Sequence, residues 1–385
     1  MRVLTVIDAF RLGGAETLVA QLGRVSAEVG IELDVLSLHG RSPELSRLEP
    51  LLVEAGITPR YLGVRRTLDA PAFARLVRYI RRTNPDVVHA HLEMSMTMAL
   101  PAARLAGKPG VGTFHQVYRP MHGRELGRER LAVEVASRSD ATVFVSNASR
   151  HSYAEHFRSG RTPRSWHVVH NGVDLQHFTP PGPDEMAGLP ADLGLGDGPV
   201  VTVVAALRDF KGITHAVAAW PEVLSRHPSA TLLVVGSGEE GENLRRQVAG
   251  LGLEGSVVFA GMRSDVVEVM RGSDVVLLPS IFGENLPTVL MEAGGCARPV
   301  VASDVGGIAD IVVDGETGLL TRPGDAASIA GALVRLLDDD GLRTRLGAAA
   351  RRRMEEHFDA RLWARNLLAL YREVGERGRR GATRA

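Results

Sequence analysis

Residues 178–207 read FTPPGPDEMAGLPADLGLGDGPVVTVVAAL, a stretch rich in Pro, Gly and Asp that runs directly into an unbroken β-branched segment. The first part is linker-like in composition. The second part does not alternate apolar with polar residues, so it predicts a strand buried on both faces of a parallel sheet. Similar runs lie on both sides. VLTVID, LDVLSL, DVVHAH, VGTFH, ATVFVS and HVVHNG precede the linker, and TLLVVG, VVFAG, VVLLPS, PVVAS and GLLTRP follow the first strand after it. Segments of helical periodicity separate them, such as Leu18, Leu22, Val25 and Val29 after Gly13-Gly14. Strand-helix repetition on both sides of a linker predicts an α/β chain with two Rossmann-like, doubly wound domains facing a central cleft. The boundaries read as 1–178, a linker at 179–199, a second domain at 200–358, and a C-terminal helix at 359–385 that crosses back to the first domain.

The chain has 385 residues, enough for two to three domains, and its formal net charge is zero. Residues 1–180 carry +6, 181–360 carry −11 and 361–385 carry +5. No basic stripe of the kind that binds nucleic acid stands out, and the basic first half fits an anionic acceptor or a membrane surface. No apolar run is long enough to cross a membrane and no leader opens the sequence, so a cytoplasmic protein is expected. Cys296 is the single cysteine, read as a small buried apolar residue. Only Lys108 and Lys211 among the 45 basic residues are lysines, which marks 211 as a place wanting a compact charge.

The densest chemistry lies in SIFGENLPTVLMEAGG, residues 280–295. Glu284 and Glu292 stand eight apart with Pro287 between them, and a proline within a helix breaks it. Glu284 is therefore expected on a loop after VVLLPS, and Glu292 within a helix that begins near Pro287, where proline suits the first helical position. The start of that helix, with Asn285, Leu286, Pro287 and Thr288, offers free backbone N–H groups to a phosphate. Two flanking carboxylates suit hydroxyls, and a nucleotide sugar presents hydroxyls on both sides of its diphosphate. Arg208 and Lys211, just past VVTVVAAL, are placed to neutralise a departing diphosphate. Gly13 and Gly14 permit close approach of backbone to a ligand. His115 ends a strand directed at the expected cleft, whereas His89 reads as a packing residue. His89 and His91 share a strand face, but no third metal ligand lies nearby in sequence. Asp338–Asp340 reads as a solvated turn. GSGEEG, residues 236–241, matches the dinucleotide fingerprint, but Glu239 and Glu240 lie where a pyrophosphate would sit and no ribose-binding acid follows.

Taken in order, GGAE, HAH, TFH, SNAS, HNGVD, LRDFKG, VGSG, VVFAG, SDVVLLPS, GENLPTVLMEAGGCARPVVASDVGG and DGETGLL resemble the retaining glycosyltransferases of family four, the glycosyl transferases group 1. The resemblance implies the two-lobed GT-B fold, with acceptor bound by the first lobe and nucleotide-sugar donor by the second. It implies transfer of a hexosyl unit to an acceptor hydroxyl with retention, without metal or other cofactor. Glu284 then lies near the donor sugar, Glu292 on the ribose, Lys211 on the phosphates with Gly14 beside them, and His115 beside the transferred sugar. Where the family often has Gly-Arg-Leu, this chain has Ala205-Ala206-Leu207, and Arg208 stands as the replacement charge. Asp310 stands where many relatives carry glutamate. A nucleotide-sugar epimerase of the same shape, a sugar-nucleotide sensor and an NADP-dependent oxidoreductase are the alternative expectations. The Arg-rich loop 116–130 fits an anionic or heavily hydroxylated acceptor.

Overall fold

A computed structural model of the chain describes residues 1–11, 13–65, 69–182 and 188–382. They form two compact units, Met1–Gly172 with Ala360–Ala385, and Val173–Asp359. Among the described residues the first unit has β1 (Arg2–Ile7), β2 (Glu32–Ser37), β3 (Arg60–Tyr61), β4 (Val87–His91), β5 (Gly110–Phe114), β6 (Ala141–Phe144) and β7 (Trp166–Val168). Their order is β3-β2-β1-β4-β5-β6-β7, all parallel. The second unit has β8 (Val200–Val204), β9 (Thr231–Val235), β10 (Val257–Gly261), β11 (Val275–Leu278), β12 (Val300–Ser303) and β13 (Gly318–Thr321). Its parallel order, β10-β9-β8-β11-β12-β13, repeats the same winding.

The apolar runs read from the sequence recover every one of these strands except β3. Arg60–Tyr61 is two residues long, half polar and at the sheet edge, so it leaves no hydrophobic run to find. The buried faces explain the unbroken pattern: Val3 to Ile7, Val87 to His91 and Val275 to Leu278 are buried along their whole length. Helices cover each sheet. The helix Ala360–Ala382 sets Trp363, Leu367, Tyr371 and Val374 against Val3, Leu22, Val25, Val87 and Val111 in one buried cluster of the first unit. Burial of an aliphatic side chain such as Leu367 or Val374 stabilises by roughly 1.5–3 kcal/mol.

In both sheets the winding reverses at the centre, between β1 and β4 and between β8 and β11. Loops that leave the carboxyl ends of such a strand pair diverge and leave room for a ligand. The glycines of GSGEEG serve another purpose. Gly236 has φ +138, and a Cβ there would lie 1.9 Å from the Ala205 carbonyl oxygen. Leu207 N donates to Ser237 O at 3.0 Å and Glu240 N to Leu207 O at 3.0 Å, so the run packs backbone against backbone on the loop after β8. Part of the linker read at 179–199 falls on residues 183–187, outside the described residues. Within the rest, Asp192 forms a two-pronged ion pair with Arg263, at 2.8 and 3.1 Å.

Candidate active site

In the second unit, β8 leads through Arg208 into a short 3-10 turn, Asp209–Lys211, and then the helix Ile213–Arg226. β11 leads through Pro279 and Ser280 to Glu284 and the helix Thr288–Gly295. Backbone bonds join the two loops, with Ile281 N donating to Phe210 O at 2.8 Å. The loop after β12 supports Glu284 from the other side: Gly307 N donates to its carbonyl at 3.2 Å. Gly306, at φ +57, approaches so closely that a Cβ would lie 1.8 Å from that oxygen, so only glycine fits there.

This framework brings together Lys211 and Glu284, 73 residues apart in sequence. Lys211 Nζ lies 2.5 Å from Glu284 Oε1, and the buried Ser280 hydroxyl donates to the same oxygen at 2.6 Å. The glutamate side chain is 7% exposed and the lysine 18%, so the pair is shielded from bulk screening yet reachable from one side. Arg208 caps the 3-10 turn and is exposed, with no ion pair among the described residues. Asn285 and Leu286 are buried, Pro287 is the residue before the helix, and Thr288 is its first residue. Pro287 thus sits one position earlier than expected: its ψ of 117° is extended, and the helical turn starts after it. Glu292 lies one turn after Thr288, whose hydroxyl bonds its carboxyl; burial nonetheless pushes that carboxyl up to about 7. Cys296 is buried, as its residue type suggested. Asp339 caps the helix Asp340–Arg353, accepting from Leu342 N at 2.8 Å, which accounts for an acid within the Asp338–Asp340 turn.

In the first unit, Gly14 opens the helix Gly14–Ser26 beyond β1. A Cβ on Gly14 would meet no atom within 4 Å, so packing does not require glycine there. His89 is fully satisfied, by Tyr371 OH at 2.6 Å and Thr113 Oγ1 at 2.6 Å, and is a structural residue. His91 Nδ1 meets His115 Nε2 at 2.8 Å, leaving His91 Nε2 and His115 Nδ1 buried without partners among the described residues. Burial pushes His115 down to about 4 and His91 well below the ordinary imidazole value, so both rings are neutral at pH 7 and share one proton at their contact.

Three residues lie inside stretches quoted from the sequence, but the bonds they make left no signal there. Ser280 reads only as a small polar residue, and its role depends on the bond to Glu284. His91 was visible as a histidine, but its bond to His115 joins two strands. Asp8, at the end of β1, accepts from Ser95 N at 2.7 Å and Ser95 Oγ at 2.6 Å, holding the start of the helix Glu93–Leu105. That helix begins after Leu92, which has φ 72° and ψ 165°, a glycine-like conformation costing about 1–3 kcal/mol.

The buried histidines set an acid limit. An unfolded histidine takes up its proton near pH 6.5, whereas His115 holds out to about 4 and His89 to about 3. Below pH 6.5 the unfolded state therefore binds more protons, and stability falls as pH falls. At pH 5 each such histidine contributes a loss of about 2 kcal/mol. Thermal melts at pH 7.5, 6 and 5 should show a progressive drop in Tm that His89→Gln reduces; a flat profile would contradict the buried neutral array.

Comparison with known proteins gives the chemistry its family. Residues 12–177 match the family described as Glycosyltransferase Family 4, and residues 189–353 match Glycosyl transferases group 1. The D-inositol 3-phosphate glycosyltransferase of Acidothermus cellulolyticus is 34% identical, covering 96% of this chain and 88% of its own. The phosphatidyl-myo-inositol mannosyltransferase of Mycobacterium leprae is 31% identical, covering 95% and 94%. The crystal structure of Anabaena HepE in complex with UDP superposes with a TM-score of 0.84 at 24% identity, covering 96% of this chain and 98% of that one, and so shares the fold. Both halves of the sequence being matched, and its relatives spanning nearly its whole length, the chain belongs to glycosyltransferase family 4, the glycosyl transferases group 1, with the two Rossmann-like sheets of the GT-B fold.

Proposed function

We propose that the protein transfers a hexosyl unit from a UDP- or GDP-linked sugar to an acceptor hydroxyl, with retention of anomeric configuration and without a metal ion. The observation that carries this reading is the Lys211–Glu284 pair at the carboxyl ends of β8 and β11, beside the start of the helix Thr288–Gly295. Lys211, Arg208 and that helix start supply positive charge for a departing diphosphate, the role a divalent cation would otherwise fill. Glu284 accepts from a hydroxyl of the transferred sugar and Glu292 from the ribose. Asn285, Leu286, Pro287 and Thr288 shape the donor loop, Gly14 lies beside the phosphates, and His115 beside the sugar. In the reaction the bond from the anomeric carbon to the leaving phosphate oxygen breaks as the acceptor oxygen bonds to the same face. The acceptor's proton passes to a phosphate oxygen of the leaving group. Incubation with UDP-glucose or GDP-mannose and D-inositol 3-phosphate or phosphatidylinositol tests this. A product whose anomeric configuration by NMR equals the donor's supports it. An epimerised donor formed without acceptor, or an inverted product, would overturn it.

One surface favours a cytoplasmic enzyme working against an anionic membrane. The helix Ala70–Thr83 exposes Arg75, Arg78, Arg81 and Arg82 and contains no acidic residue. Their polar contacts among the described residues are with carbonyls and a tyrosine ring, not with carboxylates. Arg81 reaches the carbonyl of Leu105, a leucine 59% exposed, and the groove of about 1020 Å³ nearby is of mixed charge, lined by Arg104, Lys108 and Arg138 together with Asp86 and Asp140. Each basic residue near an anionic surface contributes about 1 kcal/mol. The protein should cosediment with phosphatidylglycerol vesicles and not with phosphatidylcholine alone, and Arg78→Glu with Arg82→Glu should abolish this. No helix among the described residues is long and apolar enough to cross a membrane.

A further inference from the structure

Hydrophobic side chains exposed singly on a surface need no special explanation, but Phe282 stands within a row of interacting groups. Phe282 is 55% exposed, the aromatic residue among the exposed large hydrophobics of the described chain. It stands two residues before Glu284, and its ring centroid is 5.7 Å from that of Phe210, the residue before Lys211. Lys211 Nζ in turn lies 5.2 Å from the Phe210 centroid and 2.5 Å from Glu284 Oε1. The bond from Ile281 N to Phe210 O, 2.8 Å, pins the backbone just before Phe282 to the loop that carries Phe210. Phe282, Phe210, Lys211 and Glu284 thus form one continuous row, with an apolar end open to solvent and an ionic end partly covered.

We propose that Phe282 is a specificity-determining residue whose ring packs on the C–H face of the donor's hexosyl ring. The inference rests on the reading that Lys211 meets the donor phosphates and Glu284 the transferred sugar. A pyranose ring presents polarised C–H bonds on its face and hydroxyls at its rim. An aromatic face carries negative quadrupole charge and attracts the former, while an adjacent carboxylate accepts from the latter. Phe282 and Glu284 offer that pair of complements two residues apart. Phe210 is half-buried with Lys211 Nζ 5.2 Å from its centroid, whereas Phe282 is 55% exposed and presents the more open ring to a sugar. A nucleoside diphosphate lacking the hexose has nothing to place there, so Phe282 distinguishes sugar nucleotide from bare nucleotide.

Titration calorimetry of the wild type, Phe282→Ala and Phe282→Trp with UDP, UDP-glucose, GDP and GDP-mannose tests the proposal. Whichever nucleotide and sugar nucleotide the wild type binds serve as the matched pair. Phe282→Ala should weaken the sugar nucleotide about tenfold, equal to ~1.4 kcal/mol, and leave the bare nucleotide within about twofold. Phe282→Trp should keep the affinity for both. Equal losses for both ligands, or no loss for either, would overturn the proposal; unchanged binding of bare nucleotide also shows that the variant is folded. A wild type that binds none of the four overturns the donor reading itself, an outcome seen without any variant.

Discussion

Lys211→Ala should lower kcat by about 10²–10³ while donor KM changes only a few-fold, because the ammonium acts most strongly on charge that develops as the diphosphate leaves. Lys211 lies 2.5 Å from Glu284, so the charge is preorganised and does not have to be gathered during the reaction. Glu284 would keep the Ser280 hydroxyl at 2.6 Å, and the loop would keep its backbone bonds to Phe210 and Gly307. The fold should therefore survive, with Tm shifted by a few degrees at most. Lys211→Arg should not restore full turnover: a planar guanidinium cannot occupy the compact place of an ammonium 18% exposed between Phe210 and Glu284. Steady-state kinetics beside a thermal melt separates the possibilities. Unchanged kcat, or a loss explained by unfolding, would remove Lys211 from the chemistry.

Glu292→Ala should raise the Kd of the nucleoside diphosphate by about 10²-fold, since two hydrogen bonds to a charged group contribute about 1.5–3 kcal/mol each and part is regained by water. Here pH gives a second reading. The free carboxyl ionises near 7, and ribose hydroxyls bind the ionised form better, so affinity should climb between about pH 6 and 8. Glu292→Gln should flatten that slope. The sign for folding is opposite to that of the histidines: the native carboxyl holds its proton above the unfolded value of 4.5, so its contribution to stability declines as pH rises from there to about 7. If nucleotide affinity were the same in wild type and Glu292→Ala, the ribose assignment would fail.

The strands were legible because both sheets are parallel and buried, which writes each strand as an unbroken run such as VVTVV or TLLVV. β3 was not, because an edge strand of two residues needs no such run. Glu284 and the helix around Glu292 were legible because proline and acid spacing divide the segment into loop and helix, and Lys211 because it is one of two lysines and follows a buried strand. Their meeting was not, since the ion pair joins loops 73 residues apart. The GSGEEG match, set aside on the sequence because Glu239 and Glu240 lie in its turn, has a packing role: the same glycines that admit a pyrophosphate also admit a neighbouring backbone, and here Gly236 faces the Ala205 carbonyl. The bond between His91 and His115, the positive φ of Leu92 and the Asp8–Ser95 bonds nearby are tertiary facts with no local signature.

A thermal-shift panel with UDP, GDP, ADP, TDP and NADP tests the central claim most directly, since a ligand present at about 100 times its Kd stabilises by roughly 2.7 kcal/mol. The account predicts a shift with one nucleoside diphosphate, UDP or GDP, that disappears in Glu292→Ala. A shift with NADP alone would return GSGEEG to a binding role and contradict the donor site built here around Lys211, Glu284 and Glu292.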